Sequence, residues 1–340
     1  MNLLQNISLK PYNTFGIGAT ARFFSGFSSI DDLKELLLFQ NHQKLKSLIL
    51  GGGSNVLFTK DVDGLVLKNE LKGIALVKED AHHYYVKAAA GENWHRFVMR
   101  CIEHNYAGLE NLSLIPGNAG ASPMQNIGAY GVEIKDVFES LEALHIKDHS
   151  TRTFSANDCE FGYRESVFKK QYKDEYIILN VTFRLNKRPV FNTSYGAIEQ
   201  ELEKMNVREL SIKAISQAVI NIRSSKLPDP AKIGNAGSFF KNPVISIKQF
   251  EELQQTNAGM PHFAVDSAHL KVPAAWLIEQ CGWKGFREGD AGVHVHQPLV
   301  LVNYGNATGD EVYELSNKII TSVKARFEIE LEREVNIISI

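Results

Sequence analysis

Residues 115–131 read Ile-Pro-Gly-Asn-Ala-Gly-Ala-Ser-Pro-Met-Gln-Asn-Ile-Gly-Ala-Tyr-Gly, and this run constrains the chain more than any other. It carries no sustained helical or strand period, and four glycines punctuate it. A stretch of this length without regular structure inside a domain is uncommon and points to a ligand loop. Its small residues and amides let a flat ligand lie close to the backbone. A second cluster, Gly51-Gly52-Gly53-Ser54-Asn55, ends the short apolar run Leu48-Ile49-Leu50. Three glycines after a strand let backbone N–H groups turn outward into an anion-binding nest. No Gly-Lys-Ser or Gly-Lys-Thr follows, which excludes a nucleoside-triphosphate P-loop. Gly16 to Ala21 matches the dinucleotide fingerprint only formally, because no strand precedes it and no helical period follows.

The 340 residues suffice for two or three domains. The formal net charge of −2 provides no global field for nucleic acid or an anionic membrane, so any anion site must be built locally. Cys101, Cys159 and Cys281 are widely spaced and form no Cys-x-x-Cys, which predicts reduced thiols and a cytoplasmic protein. The opening Met-Asn-Leu-Leu-Gln-Asn is not that of a signal peptide, and no apolar run approaches the roughly 20 residues of a membrane span. A monomer is expected. His294 and His296 alternate, but no third ligand accompanies them, and no metal is expected.

Ser29 before Asp31, Asp32, Leu33, Leu36 and Leu37 predicts a helix starting near residue 30. Trp94, Phe97, Val98 and Ile102 mark one face of a helix over 93–105. Strands are predicted at 64–68, 74–78, 84–90, 137–146, 176–185, 298–302 and 335–340. Helices follow at about 211–223, 246–255, 273–281 and 310–327. The fold class is therefore α+β, with divisions at 1–72, 73–210 and 211–340.

The run Gly237-Ser238-Phe239-Phe240-Lys241-Asn242-Pro243 mixes a hydroxyl, two aromatics, a cation and an amide. This suggests a loop entering a cleft, with the aromatics excluding water. Taken with Asn13-Thr14-Phe15-Gly16, Gly51–Asn55, Ile115-Pro116-Gly117, Gln125–Gly131, Phe161–Ser166, Lys226–Pro230 and Leu331-Glu332-Arg333-Glu334-Val335, it forms an ordered set from residue 13 to 335. That set resembles the UDP-N-acetylenolpyruvoylglucosamine reductase family.

The resemblance implies two FAD-binding parts of the vanillyl-alcohol-oxidase type, over 1–72 and 73–210, and a substrate domain over 211–340. It implies noncovalent FAD, with NADPH as co-substrate and a nucleotide sugar as substrate. Cofactor contacts carry over to Gly51, Gly52, Gly53, Ser54, Asn55, Ile115, Pro116, Gly117, Gln125, Asn126, Gly128, Ala129, Tyr130 and Gly131. Substrate contacts carry over to Tyr163, Tyr195, Arg223, Lys226, Asn242 and Gln297. The segment with Tyr195-Gly196 resembles the longer of two family types, in which a tyrosine-bearing loop covers the nucleotide sugar. Ser238 is implied as proton donor, with Arg164 and Glu334 stabilising an enolate. Arg333 stands where proline can occur, which adds a cation and is expected to leave the backbone less fixed. An alcohol or sugar oxidase of the same superfamily is the alternative; it does not call for Ser238 or Glu334.

Overall fold

The computed structural model describes residues 2–340. The chain forms two compact units. The first comprises the stretch ending at Ile7 together with Ala21–Gly52 and Asp63–Ser225. The second comprises Ser8–Thr20, Gly53–Val62 and Lys226–Ile340.

The first unit contains a four-stranded sheet in the order Leu4–Ser8, Thr20–Phe27, Val62–Asn69, Lys46–Leu50. The helix Ile30–His42 starts at Ser29, whose hydroxyl accepts from the Asp32 N–H while the Asp32 carboxylate accepts from the Ser29 N–H. Its Leu33, Leu36 and Leu37 join Phe27, Leu65 and Leu67 in a buried cluster. A five-stranded antiparallel sheet follows in the order Thr151–Ser155, Phe138–His145, Tyr176–Asn186, His83–Ala89, Ile74–Glu79. The helix Trp94–Glu103 buries Trp94, Phe97, Val98, Cys101 and Ile102 against it. Trp94 and Phe97 lie 5.7 and 5.0 Å from the Phe183 ring.

The helix Ile212–Lys226 falls on the other side of a division from where its sequence was assigned. Its Ile215, Ala218, Val219 and Ile222 form an apolar stripe that packs on Ile198 and Leu202 of the helix Gly196–Lys204, so nearly all of it belongs to the first unit. Burial of that stripe, rather than position along the chain, places the helix with the first unit. The second unit proper resumes at Lys226.

The second unit holds the antiparallel sheet Gly234–Asn235, Leu301–Asn303, Ala291–Val293, Arg287–Glu288. The helix Gly309–Phe327 packs on it through an apolar face that includes Val312, Leu315, Ile319 and Val323. The last strand, Asn336–Ile338, pairs in parallel with Val56–Phe58. Val244–Ser246, His269–Lys271 and Phe263–Ala264 make a small third sheet. Among the described residues no helix is long and apolar enough to cross a membrane.

Candidate active site

In the second unit, a chain of local bonds presents Ser238. The buried Asn13 side chain donates to the carbonyls of Leu9 and Ile17 and accepts from the Ile17 N–H, closing the loop that carries Thr14 and Phe15. Thr14 Oγ1 then donates to the Asn235 carbonyl at 2.6 Å. The Asn235 amide donates to the carbonyls of Pro228 and Ile233, and its oxygen accepts from the Gly237 N–H. Gly237 has φ +72°, a conformation that glycine adopts without strain. Ser238 follows, half-buried. Phe239 and Phe240 are fully buried, with Phe239 edge-on to Phe15 at 6.2 Å. They are core residues bracing the loop rather than an open water shield. Sequence reasoning passed over Asn235; the signal was an amide two residues before a glycine.

Phe239 to Lys241 pairs with Glu332 to Glu334. The Lys241 N–H donates to the Glu332 carbonyl at 2.9 Å, and the Glu334 N–H donates to the Phe239 carbonyl at 2.8 Å. Phe240 and Arg333 form the antiparallel bridge between them. Ser238 and Glu334, 96 positions apart, therefore sit at one end of one short ladder. Glu334 precedes the final strand, which begins at Asn336. Its carbonyl accepts from Asn55 Nδ2 at 3.2 Å, so this predicted cofactor residue also supports the ladder. Lys241 is buried and its ammonium meets Glu332 Oε1 at 2.5 Å. Lys241 is thus committed to an ion pair within the protein. Asn242 accepts the Ala274 N–H through its oxygen, which ties it to the start of the helix Ala274–Gln280. Gln297 sits in the turn whose Leu299 carbonyl accepts from the Phe239 N–H at 2.7 Å. Lys226 is exposed.

In the first unit, the run 115–131 proves to have structure of its own. Gly128–Ala129 and Val132–Glu133 form a hairpin whose turn residues, Tyr130 and Gly131, have φ +50° and +80°. Two central residues at positive φ match the tight turn favoured by the twist of antiparallel strands. The Gly128 carbonyl accepts from Arg164 Nη2 at 2.8 Å. Arg164 itself sits at φ +56° in a two-residue turn between Gly162 and Glu165, with its guanidinium 5.5 Å from the Tyr163 ring. A non-glycine residue held in this region is a form of strain that clusters at functional sites.

Tyr130, expected among the cofactor contacts, lies close enough to the Arg223 guanidinium for the two to affect each other's titration, and its ring meets Tyr195 edge-on at 5.4 Å. It therefore stands with two residues expected to hold substrate. Burial holds the Arg223 guanidinium below its ordinary pKa, and the nearby Arg164 adds to the effect. Arg223 Nε is buried without a partner. His95 completes the group and went unnoticed in the sequence. Its Nδ1 accepts from the Leu114 N–H at 3.0 Å, while burial, and then Arg223, depress its pKa. Tyr195 is 46% exposed at the start of the helix Gly196–Lys204.

The model of the UDP-N-acetylenolpyruvoylglucosamine reductase C-terminal domain matches residues 229–338, and that of the FAD binding domain matches residues 23–153. The chain is 54% identical over 338 residues to the UDP-N-acetylenolpyruvoylglucosamine reductase of Amoebophilus asiaticus, covering 99% of this chain and 100% of that one. It belongs to the UDP-N-acetylenolpyruvoylglucosamine reductase family. The relative from Flavobacterium johnsoniae is 51% identical over 339 residues, with 99% and 100% coverage. The crystal structure of the reductase from Thermus caldophilus shares the fold, with a TM-score of 0.69, 23% identity and coverage of 99% and 98%. As a member of this reductase family, the chain is an oxidoreductase of peptidoglycan precursor synthesis with an FAD-binding domain.

The glycine loops of the first unit fit that cofactor class. A Cβ on Gly52 would lie 2.8 Å from Gly117 Cα, so the two glycine loops pack backbone to backbone with no room for a side chain between them. The Gly51 carbonyl accepts from the Lys68 ammonium, whose pKa burial lowers. Gly53 has φ +63°, and a Cβ there would overlap the Tyr12 carbonyl. Asn126, expected among the cofactor contacts, is fully buried. Its amide donates to Glu133 and to the Gly162 carbonyl, and its oxygen accepts from the Lys135 N–H, so its side chain is fully used in the fold. Among the described residues no group of three His, Cys, Asp or Glu side chains could hold a metal ion.

Proposed function

We propose that the chain reduces the enolpyruvyl group of UDP-N-acetylglucosamine enolpyruvate to give UDP-N-acetylmuramate. FAD, when bound noncovalently, would supply hydride chemistry toward the terminal enol-ether carbon, with NADPH as the source of its electrons. Gly51, Gly52, Ile115, Pro116 and Gly117 would hold FAD in the first unit, and Gly53, Ser54 and Asn55 belong to the same set of residues. As the terminal carbon gains hydride, the C=C electron pair moves to the adjacent carbon and into its carboxylate. Arg164 grips that carboxylate, its guanidinium oriented by the Gly128 carbonyl. Glu334 stabilises the same developing enolate. Ser238 Oγ gives its proton to the adjacent carbon, and solvent restores it. Tyr195, Tyr130 and Arg223 bind the anionic nucleotide sugar together with Lys226, Gln297 and the Asn242 amide, and Tyr163 packs beside Arg164.

The observation that carries this reading is the ladder joining Phe239–Lys241 to Glu332–Glu334, which brings the proposed acid and the proposed proton donor together from distant sequence. Stopped-flow spectroscopy tests it in two halves. NADPH should bleach the flavin, and the enolpyruvyl sugar nucleotide should then restore its colour. Ser238→Ala should retain bleaching and slow recolouring by at least about a hundredfold, the scale of general acid catalysis. Glu334→Gln should slow the same half. Equal loss of both halves in Ser238→Ala would make Ser238 structural.

A further inference from the structure

The strip carrying Glu334 has no regular structure between Ile329 and the final strand, and it places three charged residues in a row. Something other than a long ladder must fix it. Arg333 does so through its side chain. Its Nε donates to Ser316 Oγ at 2.8 Å, its Nη2 donates to Asn317 Oδ1, and its guanidinium lies 4.5 Å from the Tyr313 ring. All three partners lie on the helix Gly309–Phe327. Ser316 is fully buried, and its hydroxyl is oriented by donating to the Tyr313 carbonyl at 2.6 Å. A guanidinium forked onto two acceptors and packed on a ring has little freedom left.

We propose that Arg333 is a positioning residue for Glu334, locking the 332–334 strip onto that helix so that the Glu334 carboxyl keeps one placement. The inference rests on the role given to Glu334 above. Arg333 does not touch the reacting atoms. It acts on the backbone of its neighbour, as Lys241 does on the other side through Glu332. The two ladder bonds use the N–H groups of Lys241 and Glu334, so the pairing makes no demand on the N–H of Arg333 itself. A proline at 333 would then restrict the strip by another route, since it fixes φ and lacks only that N–H. The added cation therefore tightens the local backbone, contrary to the expectation from sequence.

The test compares holoenzyme variants in the two half-reactions and in amide exchange. Arg333→Met keeps the packing over Tyr313 and loses both hydrogen bonds. It should recolour NADPH-reduced flavin about ten- to a hundredfold more slowly, the cost of misplacing a reacting group by roughly an ångström. Bleaching should be unchanged, and the Glu334 N–H should exchange faster. Ser316→Ala/Asn317→Ala removes the acceptors and leaves the arginine, and should give the same pattern; it also serves should Arg333→Met not fold. Arg333→Pro should recover most of the lost rate. Recolouring at the wild-type rate in both the methionine and the double-alanine variants, even with a lower Tm, would overturn the proposal, and so would an Arg333→Pro variant as slow as Arg333→Met. Glu334→Gln, run alongside, separates the failures. A normal rate there removes the role of Glu334, whereas a slow Glu334→Gln with a normal Arg333→Met removes only the role of Arg333.

Discussion

Gly52→Ala isolates the contribution of the glycine cradle to cofactor binding. Gly52 does not occupy the positive-φ region, so alanine brings no backbone penalty there and acts through sterics alone. An ideal Cβ would lie 2.8 Å from Gly117 Cα, 3.2 Å from Gly117 C and 3.3 Å from Asn118 Oδ1. Carbon atoms rest at about 3.5–4.0 Å, so the two loops must part by roughly 0.7 Å or more. Forcing one extra carbon into a packed contact costs about 1–3 kcal/mol. If that strain is released by opening the loops, it is taken from FAD affinity, and Kd should rise about 5- to 150-fold. The assay is flavin retention: absorbance ratio after gel filtration, then titration of the apoprotein with FAD by fluorescence quenching. Gly18→Ala is the matched control, because a Cβ there meets nothing within 4 Å. Wild-type FAD affinity in Gly52→Ala, with the fold intact, would refute the idea that close approach of these loops shapes the cofactor site.

The buried Lys241 and largely exposed Glu332 should respond unequally. Lys241→Met should leave stability within about 1 kcal/mol, whereas Glu332→Gln should cost about 1–3 kcal/mol by stranding a buried ammonium, as read from urea denaturation. Glu110 is buried, and desolvation raises its pKa although the Gly108 N–H donates to it at 2.7 Å. The folded state thus holds this proton to higher pH than the unfolded chain, so the Glu110 contribution falls as pH rises from the ordinary carboxylate range through the raised value. Glu110→Gln should remove that part of the decline, which urea unfolding at several pH values between 4 and 8 would reveal; an unchanged slope would show that Glu110 ionises alike in both states.

What the sequence disclosed was mostly local. The helix at Ile30–His42 was readable because Ser29 and Asp32 cap it through bonds three residues apart, and Trp94–Glu103 because its apolar face repeats within ten residues. The strand Thr20–Phe27 escaped notice because its glycine-rich lead-in resembled a nucleotide fingerprint, and the hairpin at Gly128–Glu133 because two-residue strands show no period. The division of the chain was not legible. Ile212–Lys226 was expected with the segment after residue 210, while its placement is decided by which face Ile215, Val219 and Ile222 can bury. The site residues were legible through ordered motifs, yet their pairing was not: nothing local in Ser238 or Glu334 indicates that Phe239 bonds the latter. The anchors of Arg333 were illegible for the same reason, since they lie on a helix 16 and 17 positions away.

The parallel pairing of Asn336–Ile338 with Val56–Phe58 has a consequence for how the chain is made. The partners are 280 positions apart, from Val56 to Asn336. At a synthesis rate of about 5–20 residues per second, Val56–Phe58 waits roughly 14–56 s on the ribosome before its neighbour has even been translated. The buried Leu57 and Phe58 must be kept from wrong partners throughout that interval. Completion of the second unit is thereby postponed until residues 336–338 have been made, and a chain truncated before Asn336 would leave the first-made edge open.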